Sequence, residues 1–176
     1  MILTIYKILP QAAIALRRFR TFTRLIIWNM KIERVTQSTE ELFRAFQSLT
    51  PQLTANHLAP SRADVDALIA TPGSITLIAR HPDESGPIVG SASLAIFRVL
   101  TGIRAHLEDV VVDASARGLG IGEALTREAL RLARESGADG VALTSNPSRV
   151  EANRLYQKIG FKRWETNLYF YEFEKK

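Results

Sequence analysis

The 176-residue chain has no cysteine, which excludes a disulfide framework, a thiolate metal site and a cysteine nucleophile. The absence suits a reducing compartment, and the expected location is cytoplasmic. There are three histidines, scattered along the chain, and they suggest no metal site. No internal repeat or low-complexity tract interrupts the sequence. Acids are missing altogether from residues 1–29, where Lys7, Arg17, Arg18, Arg20 and Arg24 account for the whole formal charge of +5. Residues 30–176 are therefore neutral, and the basic clustering that a nucleic-acid surface requires is not there. Long apolar runs are missing too. The longest uncharged stretch of the N-terminal segment, residues 8–16, falls well short of the roughly 20 apolar residues that span a bilayer. The ordered regions of a secretory signal are also lacking.

Three readings fit the basic, apolar segment 1–29. It is a transit-like or membrane-surface amphipathic stretch, a helix packed on the domain, or the product of a start codon assigned too early. The last is preferred, because Met30-Lys31-Ile32-Glu33-Arg34-Val35 reads as a fresh N-terminus leading into a strand. The expected organisation is an extension over 1–29 and one domain over 30–176. Apolar residues make up 46% of the chain, enough for a real core, and helix-period and strand-period segments alternate, which predicts an α/β domain.

Residues 32–35 alternate as a short strand. Ser38 or Thr39 can cap a helix through about Leu49, with Leu42, Phe43 and Phe46 on one face and Pro51 ending it. Ser61 with Asp64 has the spacing of a capping box for a helix over 62–70. Strands are predicted over 74–80, 87–100 and 104–112, with Gly90 at a bulge or close approach. A helix follows over about 120–135, its apolar stripe made by Ile121, Ala124, Leu125, Ala129, Leu132 and Ala133, and Gly137 stops it. A short strand at 141–144, a helix at about 149–159 ended by Gly160, and one or two strands over 161–173 complete the order. Short links between consecutive strands imply antiparallel pairs. The strand–helix–strand unit from 104 to 144 implies one parallel pair in a mixed sheet with helices on its faces.

Chemistry concentrates at the end of the 104–112 strand. Three alternating glycines in Arg117-Gly118-Leu119-Gly120-Ile121-Gly122 separate a strand from a helix. Glycines let the backbone turn tightly and keep side chains off a ligand. The first helical turn offers N–H groups without internal partners and a positive dipole end. Together they make a pyrophosphate cradle, to which Arg117 can add charge. A dinucleotide G-x-G-x-x-G loop is excluded, because Glu123 and Leu125 stand where its last glycine belongs. A P-loop is excluded because no Gly-Lys-Ser/Thr follows.

This segment resembles the Arg/Gln-x-x-Gly-x-Gly/Ala signature of the GNAT N-acetyltransferase superfamily. Asn153-Arg154-Leu155-Tyr156-Gln157-Lys158-Ile159-Gly160-Phe161 resembles that family's second marker, and Ile88-Val89-Gly90-Ser91-Ala92 its third strand. The resemblance covers about residues 31–173. It implies the GNAT fold, a mostly antiparallel mixed sheet with helices on both faces and a splayed parallel strand pair (104–112 and 141–144) that admits acetyl-CoA. It implies that Val110, Val111 and Val112 pair with the pantetheine arm. Within Arg117, Gly118, Leu119, Gly120, Ile121, Gly122, Glu123 and Ala124, the N–H groups would take the pyrophosphate. Asn146 and Asn153 would line the cofactor, and Tyr156 would protonate the departing thiolate. His106-Leu107-Glu108-Asp109-Val110 also resembles the matching strand of the glucosamine-phosphate acetyltransferase branch.

Acetyl transfer to an amine needs a neutral amine, a polarised carbonyl and a protonated leaving thiolate. Glu108 or Asp109 could deprotonate the amine directly or through water, with His106 as a further candidate. On a regular strand Glu108 and Asp109 point to opposite faces, and a bulge would change which one faces the cleft. Backbone N–H groups near Val110–Val112 could hold the carbonyl oxygen. The Tyr156 phenol supplies a proton in the thiolate's own range. The expected activity is acetyl transfer from acetyl-CoA to a primary amine of a small molecule or peptide, without a metal. The alternatives are an amino-sugar phosphate acceptor or a catalytically silent acyl-CoA-binding regulatory module. Tyr169-Phe170-Tyr171-Glu172-Phe173 permits a homodimer, and core packing explains its aromatics equally well.

Overall fold

The structure, a computed structural model, describes residues 30–53 and 58–173. The extension 1–29 lies outside the described residues. Two compact units divide between Thr144 and Ser145.

The first unit is built on a five-stranded sheet in the order β1-β2-β3-β4-β5, comprising β1 (Lys31–Arg34), β2 (Ser74–Arg80), β3 (Ile88–Val99), β4 (Gly102–Val112) and β5 (Val141–Ala142). The first four strands pair antiparallel and β4 pairs with β5 in parallel. β2 matches the bounds read from sequence. Alternate residues explain why both of its faces are apolar. Ile75, Leu77 and Ala79 join one cluster and Ile78 joins another, so β2 is covered on both sides.

Helix α1 (Glu40–Leu49) and helix α2 (Arg62–Ala70) cover one face, with Leu42, Phe46 and Val65 packed against Ile78. Thr39 caps α1 by accepting the Leu42 N–H at 3.1 Å, while the Ser38 hydroxyl donates to Asp66 instead. The α2 capping box forms as its spacing predicts: Ser61 Oγ accepts from the Asp64 N–H and the Asp64 carboxylate accepts from the Ser61 N–H. Helix α3 (Ile121–Glu135) covers the other face. Its buried stripe is Ile121, Leu125, Thr126, Ala129 and Ala133, with Leu132 partly buried against the same cluster. Buried Thr126 was not expected there; its hydroxyl donates to the Gly122 carbonyl at 2.8 Å, so it enters the core satisfied.

The parallel pair is short. The ladder to β5 covers only Ala105 with Val141 and His106 with Ala142, and β4 runs on to Val112. The ladder ends where β5 itself ends, at Ala142. The predicted strand over 141–144 is thus reduced to Val141–Ala142.

The second unit holds helix α4 (Val150–Ile159), closed by Gly160 at φ +114°. Residues 161–173 form no strand, against the sequence expectation. Alternating aromatics favour a strand, but a strand exists only through its ladder partner, and this segment has none among the described residues. Trp164, Tyr169, Phe170, Tyr171 and Phe173 are exposed rather than packed in a core.

Candidate functional site

β4 does not run as a regular strand. Ser91 pairs with Val111 and Ser93 with Glu108, so Ala92 faces both Asp109 and Val110. Asp109 is the extra residue and adopts φ +51°, a left-handed conformation that Asp tolerates better than most side chains. The bulge reverses the phase of the strand. Before it, Ala105 and Leu107 pack on the α3-side cluster; after it, Val110 and Val112 do. Val111 is buried outside that cluster. The regular alternation expected for Glu108 and Asp109 is therefore replaced. Glu108 keeps the phase of His106, half-exposed with its carboxylate 3.9 Å from the His106 Nδ1. The His106 ring in turn lies 5.6 Å from that of Phe97.

β4 leads into the glycine loop through a tight turn. Asp113 accepts from the Ser115 N–H at 2.9 Å and from the Ser115 hydroxyl, starting a 3-10 turn over Ala114–Ala116. Hydrogen bonds from Ser115, then from Gln52, hold the Asp113 carboxyl below its ordinary pKa, so it is ionised here. Arg117 follows, exposed, its Nε donating to the Val112 carbonyl at 3.2 Å and its Nη2 to Gln52 Oε1 at 3.4 Å. The turn thus fixes where the guanidinium charge sits.

The loop itself alternates. Leu119 and Ile121 pack into the core cluster, while Gly118 and Gly120 are exposed with φ +79° and +82°. A Cβ built at Gly118 meets nothing within 4 Å, so glycine is needed there for backbone conformation and not for internal packing. Gly120 is the N-cap residue of α3 and no side chain caps the helix; the Ala124 N–H donates to the Gly120 carbonyl at 3.0 Å. Glu123 turns aside to pair with Arg127 at 2.8 Å. An uncapped helix start reached through two outward-facing glycines suits a phosphate group, whose charge and oxygens would complete it. Gly90 serves the same loop from below: a Cβ there would come within 3.1 Å of both Ile121 Cγ2 and the Val111 carbonyl. Its absence lets α3 start close against the sheet, the close approach that the sequence suggested.

In the second unit, Asn146 Oδ1 accepts from the Ser148 N–H and hydroxyl, at 2.9 and 2.8 Å. Asn153 Nδ2 donates to the carbonyls of Asn146 and Arg149 at 2.9 and 3.0 Å. Both amides therefore shape the entry into α4. Tyr156 is buried, its ring set edge-on to Phe161 with centroids 5.8 Å apart. Burial raises the phenol pKa above its ordinary value, opposed in part by Arg149. The group therefore stays protonated well past neutrality, the state a proton donor needs.

Sequence reasoning missed Gln52 and assigned nothing to Asp113. Asp113-x-Ser115 was a legible turn signal. Gln52 had none, since its contacts with the loop's entry turn reach residues 61 and more positions away.

The glycine loop thus follows a bulged strand and leads into a helix that no side chain caps. The acetyltransferase (GNAT) family model matches residues 39–161, and the chain belongs to that family. Glucosamine 6-phosphate N-acetyltransferase of Trypanosoma brucei brucei is 40% identical over 99 residues, 54% of this chain and 65% of that protein. Probable glucosamine 6-phosphate N-acetyltransferase 2 of Oryza sativa subsp. japonica is 36% identical over 120 residues, 65% of this chain and 68% of its own. The chain thus spans about two thirds of the length of these curated relatives. A crystal structure of a Trypanosoma brucei acetyltransferase superposes with a TM-score of 0.65 at 30% identity, covering 81% of this chain and 99% of that one.

Proposed function

We propose that this chain transfers the acetyl group of acetyl-CoA to a primary amine, with residues 30–176 as the transferase. The observation that carries the reading is the Arg117–Ala124 loop, opening at an uncapped helix start in a chain of the GNAT family. Acetyl-CoA supplies an activated thioester. Its pyrophosphate would take N–H groups of the loop, and its pantetheine arm the Val110–Val112 edge. Asn146 and Asn153 would line its path. The N–H groups near the Asp109 bulge would hold the carbonyl oxygen as it gains charge. Glu108 is the proposed base, taking a proton from the amine directly or through water, and Tyr156 the proposed acid, returning one to the thiolate sulfur. The cysteine-free chain has no helix among the described residues long and apolar enough to cross a membrane, which suits our placing it in the cytoplasm.

Glu108→Gln is expected to lower kcat about 100-fold, the usual size of a general-base contribution. Asp109→Asn should stay within a few-fold of the parent, because Asn accepts the left-handed conformation as readily as Asp. Initial rates of the two purified variants check this, and the reverse order would move the base to Asp109.

A second reading is favoured by the identity of two relatives, both named for glucosamine 6-phosphate, and by His106-Leu107-Glu108-Asp109-Val110 on β4. In that reading the acceptor is an amino-sugar phosphate. Acceptor competition separates the two readings. Glucosamine 6-phosphate is compared with glucosamine and with peptide N-termini at equal acetyl-CoA. A preference for the phosphorylated sugar supports the narrower reading; equal rates with the unphosphorylated sugar remove it.

A further inference from the structure

Gln52 lies in the 3-10 turn Thr50–Gln52 that ends α1, far in sequence from the loop. Both ends of its side-chain amide are used on the donor loop's entry turn. Oε1 accepts from the Ala114 N–H at 3.0 Å and from Arg117 Nη2 at 3.4 Å. Nε2 donates to Asp113 Oδ2 at 2.9 Å and to the Ser48 carbonyl at 3.2 Å. The other Asp113 oxygen is taken by Ser115. A neutral amide meets this set, because its oxygen accepts from a cation while its two N–H groups donate to an anion and a carbonyl. A carboxylate at position 52 would face Asp113 as a like charge, and an aliphatic side chain would leave the Ala114 N–H and the Arg117 guanidinium without this link.

We propose that Gln52 is a positioning residue for donor binding: it fixes the Asp113–Ala114 turn and aims the Arg117 guanidinium, and through Ser48 it ties both to the end of α1. The inference rests on the donor-site reading of the loop. It assigns Gln52 no contact with the donor; the residue acts through Arg117 and through the backbone that enters Gly118.

The test is CoA affinity by calorimetry on the full chain, with thermal unfolding of each variant. Gln52→Glu puts two carboxylates face to face and is expected to weaken CoA binding about 10-fold, the loss of roughly one charge-assisted contact. Adding Asp113→Asn restores complementarity in the reverse direction. The amide oxygen introduced at position 113 can still accept from Ser115, while the amide nitrogen donates to the carboxylate introduced at position 52. The double variant is expected to return to within about twofold of the parent, because the paired groups couple non-additively. A role confined to local stability would lower the melting temperature in step with affinity, whereas the expected Gln52→Glu melting temperature stays within a few degrees of the parent. Parent-like CoA affinity in Gln52→Glu overturns the inference while leaving the donor site standing. So does a folded double variant that fails to recover. A parent chain that does not bind CoA at all overturns the donor-site reading and this inference with it.

Discussion

Tyr156→Phe is expected to lower kcat about 100-fold while the affinity for acetyl-CoA changes little, because a positioned general acid contributes to the transition state and not to the ground-state complex. The substitution removes one oxygen and keeps the ring. The edge-on contact with Phe161 is preserved, as is the backbone bond from the Phe161 N–H to the Tyr156 carbonyl at 2.9 Å. Stability should therefore hold, and the kinetic loss can be assigned to the proton. The pH profile sharpens this. Burial raises the phenol pKa above the ordinary 10.0, so the protonated acid persists to higher pH than a free tyrosine would allow. The parent kcat should not fall on the alkaline side until above that ordinary value, and Tyr156→Phe should lose that limb. Stopped thiol-release assays carried from neutral pH to just past the ordinary tyrosine range measure both.

Gly122→Val is expected to weaken CoA binding by roughly 100-fold or more, through loss of about two charge-assisted contacts worth about 1.5 kcal/mol each or more. Gly122 is the better probe than its neighbours. Gly118 and Gly120 have φ near +80°, where any Cβ strains the backbone, so substitution there mixes conformation with contact. Gly122 lies inside α3 with no positive φ. Valine costs a helix interior no more than glycine does, and the Thr126 bond to the Gly122 carbonyl does not involve the side chain of residue 122. A folded variant with lost CoA affinity, read by calorimetry beside thermal unfolding, places the phosphates on the first turn of α3. Unchanged affinity removes them from it.

Local signals in the sequence translated directly into structure. The Ser61–Asp64 spacing became a capping box, β2 kept its predicted bounds, and Gly137 and Gly160 stop their helices in left-handed conformations. Each of these depends on residues within one turn or one strand. The glycine loop was legible for the same reason, since it reports its own backbone needs.

What was not legible depends on pairing. The Asp109 bulge is a property of two strands together, visible only when Ser91 and Ser93 are set against Val111 and Glu108. It changed the meaning of the Glu108-Asp109 pair: the two do not simply alternate, and Glu108 stays beside His106. Gln52 was invisible because its partners on the loop's entry turn, Asp113, Ala114 and Arg117, lie far along the chain. Residues 161–173 failed in the opposite sense. Their alternation suggested a strand, but alternation does not supply the neighbouring strand that would make one.

The proposed function requires this chain to be a working acetyl transferase and not only a holder of acyl-CoA. The most direct measurement is thiol release from acetyl-CoA across a panel of primary amines, with product mass confirmed, for the parent and Tyr156→Phe. The expected result is amine-dependent thiol release, an amine heavier by one acetyl group, and a large loss in the variant. Tight acetyl-CoA binding with no turnover on any amine, and no difference between the parent and Tyr156→Phe, would contradict it.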